Sequence, residues 1–433
     1  MASDNCLTGT CHSAVLSVKR PHAPAKDGDC LSCHKQDTPQ HPTTGGKGFS
    51  LVARGEKLCA PCHEPPGTGS VVHSPVKNGD CISCHQPHGA DGRYLLNNSE
   101  DLRGLCFDCH DKAPFNRKFI HGPVATGACA TCHNPHRTTG KELLPRPVNE
   151  GCLACHQDLA IAIKDSPFSH PPVIVSTCTS CHDPHSSSNQ ALLMKKMPEL
   201  CFECHKTLQS RLAKITNPHK PIVQQGSCGK CHAPHTAKAK RLMPMDEKDL
   251  CLSCHGTYTL GVPPLNNIRK ELEGKKFLHG PIKTGRCTGC HDPHGSGNFR
   301  LLTGPYPETL YAPYKEGIYD FCLKCHNKSL LRFSESTIYT NFRNGKRNLH
   351  YVHVANSRKG RTCRICHAPH ASDGEKLIQK DGLRFGEWNI PINFKITATG
   401  GSCAPGCHQS FAYDRDKPVV YGEYTGAAKP VSR

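Results

Sequence analysis

Large apolar side chains are scarce in this chain of 433 residues: hydrophobic types make up 36% and aromatics only 6%. A soluble chain of that length ordinarily forms two or three domains with apolar cores. Too little apolar volume is present to fill such cores, which leaves either disorder or a core supplied by something other than polypeptide. No run of eighteen apolar residues occurs, so the sequence offers no transmembrane helix. The opening Met-Ala-Ser-Asp-Asn lacks the basic and apolar regions of a secretory signal, and the chain is read as a mature or re-engineered form whose export signal is absent. Acidic residues are also few, 36 against 54 Lys and Arg, a net charge of +18. Such a balance suggests nucleic acid or anionic lipid, but no stacking platform or nucleic-acid motif accompanies it, so nucleic acid is not expected as a partner.

Cysteine and histidine are abundant, 30 of each. Every Cys belongs to one of fifteen pairs, and every pair is followed at once by His. Thirteen pairs read Cys-x-x-Cys-His: Cys30, Cys33 and His34; Cys59, Cys62 and His63; Cys81, Cys84 and His85; Cys106, Cys109 and His110; Cys129, Cys132 and His133; Cys152, Cys155 and His156; Cys178, Cys181 and His182; Cys201, Cys204 and His205; Cys228, Cys231 and His232; Cys251, Cys254 and His255; Cys287, Cys290 and His291; Cys322, Cys325 and His326; Cys363, Cys366 and His367. The outermost pairs are wider: Cys6 and Cys11 before His12, and Cys403 and Cys407 before His408.

Cys-x-x-Cys-His is the attachment site of c-type haem. Two thiols at that spacing each form a thioether with one vinyl group of the porphyrin, and the adjacent His lies beneath the ring to coordinate iron. The wide end motifs keep the second Cys and the His together, so ligation is expected there too. Zinc explains the pattern poorly: a four-Cys site needs two pairs, fifteen is odd, and zinc gives no reason for a His after every pair. Fifteen disulfides in such tight loops would leave the histidines unexplained. About fifteen covalent haems are therefore expected.

Fifteen histidines lie outside the motifs: His22, His41, His73, His88, His121, His136, His170, His185, His219, His235, His279, His294, His350, His353 and His370. One spare His per motif points to bis-histidine, six-coordinate iron throughout. The five Met residues bear no regular relation to the motifs and are read as packing.

The motifs alternate between two kinds. The first reads "HGPVATGACATCHNPH" at residues 121–136, with a His eight residues before the first Cys and Pro-His after the motif. It recurs around Cys81, Cys178, Cys228, Cys287 and Cys363, with an imperfect copy at Cys30. The second kind is bare, as in "ELCFECH" at 199–205, and recurs at Cys59, Cys106, Cys152, Cys251 and Cys322. An aliphatic pair follows each Pro-His at a fixed distance: Leu95-Leu96, Leu143-Leu144, Leu192-Leu193, Leu242-Met243, Leu301-Leu302 and Leu377-Ile378. Such spacing marks one structural unit repeated. First-kind motifs start about 49 residues apart until Cys228, and the step then grows to 59 and 76, placing insertions near 260–275 and 303–350. Segments 1–28, 29–256, 257–402 and 403–433 are read as the first haem segment, the regular repeats, the repeats with insertions, and the last haem with its tail. "CLACHQDLAIAIKDS" and "CFECHKTLQSRLAKIT" show helical periodicity after the motif. Pro and Gly elsewhere preclude long elements. The expected fold is mostly irregular and loop-rich with short α-helices: an elongated, repeat-like array with haems as its core.

A ligand scheme follows from chain reach. The Pro-His lies three residues after its own motif His and cannot pass round the ring, so it should serve a neighbouring haem. The His eight residues upstream has chain enough to wrap the haem of its own first-kind motif. On that scheme His22, His73, His121, His170, His219, His279 and His353 serve first-kind haems, and the other eight serve the remainder.

Haem also alters the charge reading. A ferric bis-His c haem with two propionates carries roughly one negative charge, so fifteen would bring the total to about +3, and full reduction to about −12. The basic residues are accordingly read as propionate partners.

The alternating motifs resemble the doubled Cys-x-x-Cys-His cytochromes of metal-reducing bacteria, over about residues 6–408. "HGPVATGACATCHNPHRTTGKELLPRP" is similar to that repeat, and "GGSCAPGCHQSFAYDRDKPVVY" to the tail of its large members. The resemblance implies export, haem attachment outside the cytoplasmic membrane, and low-potential bis-His haems. Its relatives include periplasmic carriers, proteins threaded through outer-membrane porins, and cytochromes that polymerise into extracellular filaments. Expected partners are other redox proteins or extracellular electron acceptors, with self-association into filaments or a porin among the alternatives. The expected activity is electron transfer from haem to haem, with no catalytic residue. The rival expectation is a multihaem reductase keeping one haem open, but no Cys-x-x-Cys-Lys variant occurs and the His count leaves no vacancy.

Overall fold

The computed structural model describes residues 6–7, 12–39, 41, 48–64, 67–98, 101–224, 228–258, 265–385 and 387–421. Cys11 lies outside them. The chain divides into two compact units, Met1–Leu200 and Cys201–Arg433.

In the first unit one module recurs, and its residue types explain its shape. The upstream histidine is extended and stands just before a one-turn helix: His73 before Ser74–Lys77, His121 before Gly122–Ala125. Each helix carries Pro in its first turn, where a fixed φ helps and the missing N–H costs nothing. A glycine with positive φ ends that turn, as at Gly127 (φ 71°), where a Cβ would also collide with the Asp101 carboxylate. The first-kind motif follows as a single 3-10 turn, Cys81–Ser83 or Cys129–Thr131. The bare motif instead ends a short α-helix, Leu102–Cys106 or Val148–Leu153. The helices expected after two bare motifs are present at Gln157–Asp165 and Lys206–Leu212.

Neighbouring modules are joined by two-residue antiparallel strands. Arg20–Pro21 pairs with Gly89–Ala90, Val71–Val72 with Arg137–Thr138, and Phe119–Ile120 with Ser186–Ser187. Strands this short have little stability alone. They are continued by a backbone bond from each upstream His to the next module's Pro-His: His22 N–H to His88 O at 2.8 Å, His73 to His136 at 2.9 Å, His121 to His185 at 3.0 Å. Apolar burial is almost absent: among the described residues of this unit Ala90 is the one fully buried hydrophobic residue, beside the buried hydroxyls of Thr138, Ser186 and Ser187.

The second unit begins in the same style, with Phe277–Leu278 paired to Ala371–Ser372. Residues 299–421 differ. Leu302, Tyr306, Tyr319, Leu331 and Val354 are buried together, flanked by Phe299, Tyr314, Ile318 and Phe321. Asn348, fully buried, ties this insertion: its amide donates to the carbonyls of Leu330 and Phe333 at 2.9 Å, and its Oδ1 accepts from the N–H of Tyr351 at 3.2 Å. The chain ends in a hairpin, Asp381–Phe385 with Trp388–Pro391, and a three-stranded antiparallel sheet of Lys395–Ile396, Gly400–Cys403 and Phe411–Asp414. Loop-rich repeats with short elements therefore hold as the architecture, with a conventional core added near the end.

Candidate haem-binding histidine pairs

Most motif turns are closed by the same backbone bond, from the His N–H to the carbonyl of the first Cys, for instance 3.1 Å at His85 to Cys81 and 3.0 Å at His110 to Cys106, whereas in the wide last motif His408 N–H donates to the Pro405 carbonyl at 3.4 Å. This projects both thiols and the imidazole from one turn. The described cysteines are all free thiols, none fully buried.

The imidazoles are arranged in pairs, each joining one motif His to one non-motif His. In the first unit the pairs are His12–His41, His22–His63, His34–His88, His73–His110, His85–His136, His121–His156 and His133–His185, with ring centres 5.9–6.2 Å apart and planes 13–23° from parallel. In the second they are His219–His255, His232–His294, His279–His326, His291–His370, His350–His367 and His353–His408, at 6.0–6.5 Å. The wide end motifs thus bring His12 and His408 into the same arrangement as the others.

The gap fits a metal. Two imidazole–metal bonds of about 2.0–2.1 Å, each extended by about 1.1 Å from ring nitrogen to ring centre, total about 6.3 Å. A direct hydrogen bond between the rings would draw them closer. Among the described residues no three His, Cys, Asp or Glu side chains converge as a metal site. Two imidazole nitrogens and two neighbouring thiols are what a covalently attached haem would take from protein, the nitrogens for the iron and the thiols for thioether links, since the porphyrin brings the other four nitrogens.

Hydrogen bonds fix the tautomers that this needs. Nδ1–H of six first-kind motif histidines donates to the carbonyl nine residues on: His85 to Tyr94, His133 to Glu142, His182 to Ala191, His232 to Arg241, His291 to Arg300 and His367 to Lys376, all at 2.8–2.9 Å. Nδ1–H of the upstream His donates to the carbonyl of the next module's Pro: His22 to Pro87 at 2.7 Å, and His73 to Pro135, His121 to Pro184 and His219 to Pro293 at 2.9 Å. The Nε2 lone pair is left for a metal. His350 bonds through Nδ1 to the Thr340 hydroxyl, His353 to the Leu349 carbonyl and His408 to the Gln409 carbonyl.

The carbonyls reach the motif histidines through backbone strain. Tyr94-Leu95, Glu142-Leu143, Ala191-Leu192, Arg241-Leu242, Arg300-Leu301 and Lys376-Leu377 all have φ of 50–61°, a left-handed conformation costing about 1–2 kcal/mol per non-Gly residue. The first carbonyl of each pair takes the motif His. The second binds the N–H after that His, as Leu95 O to Gln86 at 2.7 Å and Leu143 O to Asn134 at 2.8 Å. The first residue of every aliphatic pair in the sequence is the second residue of this clamp. The fixed spacing was visible in sequence, but its conformation was not, because nothing but Gly normally advertises positive φ.

The pairing corrects the ligand scheme expected from chain reach. The Pro-His does leave its own motif: His136 faces His85, not His133. The upstream His, however, does not turn back to its own first-kind motif. His73 faces His110 and His121 faces His156, both bare motifs, while first-kind His34, His85 and His133 face His88, His136 and His185 from the following module. His353 likewise faces His408, and His350 takes His367. The reason is local. The spacer after the upstream His coils into a helical turn, rising only about 1.5 Å per residue, while its preceding strand fixes it beside the next Pro-His. His170 and His205 stand before the helices Pro171–Val175 and Lys206–Leu212, and His235 follows the His232 turn.

Burial lowers the pKa of several of the rings. Burial, then the charges of His85 and His73, hold His136 below the ordinary histidine range; burial, then His34 and His22, do so for His88. Burial followed by His367 and His353 pushes His350 down to about 4. Consecutive motifs also adjoin: burial and then the neighbouring Cys129 push Cys106 up to about 11, and burial and then Cys178 do the same to Cys152. A hydrogen bond to Cys287, then burial, raises the thiol of Cys251, and a hydrogen bond to Cys363, then burial, raises that of Cys322. The last thiol of a bare motif's predecessor is near as well, Cys84 to Cys106 and Cys132 to Cys152.

The family model described as the doubled CXXCH motif matches residues 22–68, 73–115, 121–161, 170–210, 219–259 and 279–330. Each match begins on an upstream histidine. A comparison with curated proteins found no match.

Proposed function

The chain belongs to the doubled CXXCH motif family of multihaem c-type cytochromes, and on that premise we propose that it relays electrons along about fifteen covalently held bis-histidine haems, outside the cytoplasmic membrane and in extracellular or trans-envelope respiration. The observation that carries this reading is the set of histidine pairs, each spaced for one metal, strung along motifs whose thiols adjoin.

Haem supplies a one-electron iron couple tuned by its axial ligands and surroundings. The residues supply the rest. The two thiols of each motif would tether the haem, and the motif His would offer Nε2 to its iron. A His from the same or the next module would offer a second Nε2. With both donors taken up the iron would have no position for substrate, which favours transfer over catalysis. Neutral carbonyl acceptors on Nδ1 make the imidazoles better donors and stabilise ferric iron, favouring low potentials. Because His88, His136 and His185 pair with the motif His of the module before, those modules would not complete their sites alone, and electrons would have closely spaced stations along the chain. Redox proteins or extracellular acceptors are the partners this implies.

The test is the mass of the denatured protein with its ferric EPR spectrum. Fifteen haem adducts with only low-spin iron are expected. Far fewer adducts, or a high-spin signal in the resting protein, would contradict the proposal and favour an open catalytic haem.

A further inference from the structure

We propose that Glu271 is a positioning residue that acts through His370 to lower the reduction potential of the centre between His291 and His370, making it an uphill step in the electron path. The proposal rests on the histidine pairs being haem ligands. Oε2 of Glu271 accepts from Nδ1–H of His370 at 3.1 Å. Among the described residues no carboxylate lies within hydrogen-bonding distance of the rings of His88, His136 or His185; Asp292 stands 3.7 Å from Nδ1 of His294, but there the Arg211 guanidinium lies closer, at 2.9 Å, and the upstream rings donate to neutral proline carbonyls.

The acid comes from an insertion. Glu271 lies on the short helix Ile268–Leu272, started by the Asn267 side chain accepting from the Lys270 N–H at 2.9 Å. That helix falls in the stretch that lengthens the repeat step from about 49 to 59 residues. It packs against the strand Ala371–Ser372, directly after His370. The segment behind it is tied down by the Lys275–Asp373 ion pair at 2.6 Å, by the strand pairing of Phe277–Leu278, and by the His279 N–H donating to His370 O at 3.0 Å. The carboxylate is therefore held at the ring from both sides of the sequence. The His291–His370 planes are also the most twisted of the pairs, 44° apart.

A carboxylate on Nδ1–H draws the proton and makes Nε2 a stronger donor than a carbonyl does. Both that and its negative charge stabilise ferric over ferrous iron. Partial exposure of Glu271 dilutes the effect without reversing it.

Potentiometric titration of the haem-loaded protein, wild type against Glu271→Gln, tests this. His370→Ala identifies the centre, as the one that leaves the low-spin set. With Glu271→Gln that centre's midpoint should rise, a tenfold loss of ferric preference reading as 59 mV for one electron, and its low-spin ferric EPR signal should move. Haem content and every other midpoint should stay unchanged, and Glu273→Gln should leave all midpoints unchanged. Unaltered midpoints at full haem content would overturn the proposal, as would loss of that haem, which would make Glu271 merely structural. If His370→Ala removed no haem from the low-spin set, the ligand reading itself would fail instead.

Discussion

The repeats of the first unit and the segment 299–421 present histidine pairs in the same way but hold themselves together differently. In the first unit, among the described residues, the large apolar side chains Ile82, Ile161 and Val175 are exposed and the one fully buried hydrophobic residue is an alanine. In 299–421, Tyr319 and Ile365 are each 1% exposed, and Ile390, Ile392 and Tyr413 are buried beyond the main cluster. The difference teaches where folding energy comes from. Burial stabilises by about 25 cal/mol per Å² of apolar surface, and the repeats have almost none to bury without the porphyrins. The final segment carries its own core.

The largest effect should come from producing the chain without attached haem. Amides of 12–200 should then exchange at nearly unfolded rates while those of 302–414 retain protection; equal protection would break the comparison. Next, Tyr319→Ala should destabilise the final segment by about 3–5 kcal/mol. Ile82→Ala, at a side chain 65% exposed, should change unfolding by no more than about 0.5 kcal/mol. Denaturant titrations measure both. A smaller effect should be common to the two regions, because both contain the left-handed clamp. Glu142→Gly (φ 55°) and Lys376→Gly (φ 55°) should each stabilise by about 0.5–1 kcal/mol as the Cβ strain is relieved, while β-branched residues there should destabilise. The smallest effect is confined to the final sheet. Backbone N–H donors of Lys417 and Asp416 and the Thr399 hydroxyl hold the Asp414 carboxyl down at about 2. Its folded value is depressed, so its contribution is complete above the ordinary carboxylate range and disappears as pH falls from about 4 to 2. Asp414→Asn should flatten that part of the stability–pH curve.

Much of the site was legible in sequence because its chemistry has rigid spacing. Cys-x-x-Cys-His fixes three groups on one turn, and among the described residues spare histidines face thirteen of the motif histidines. The post-motif helices at Gln157–Asp165 and Lys206–Leu212 were likewise readable from periodicity. What stayed hidden depends on contacts between modules. Reach alone could not tell that His73 would be captured by a two-residue strand to Arg137–Thr138 and so meet His110. Local sequence gives no sign that Glu142-Leu143 turns left-handed, because the stabilising partner is His133, nine residues away. The tyrosine cluster around Tyr319 is spread over 302–354 with no single period to reveal it.

The central claim is that the first-kind sites of His34, His85 and His133 are each completed by the following module's Pro-His. His136→Ala, examined by EPR in the haem-loaded protein, tests it most directly. One high-spin ferric signal should appear. It should vanish when Cys81 and Cys84 are also replaced by Ala, and persist when Cys129 and Cys132 are replaced instead. The opposite dependence, or no high-spin signal at all, would contradict the account.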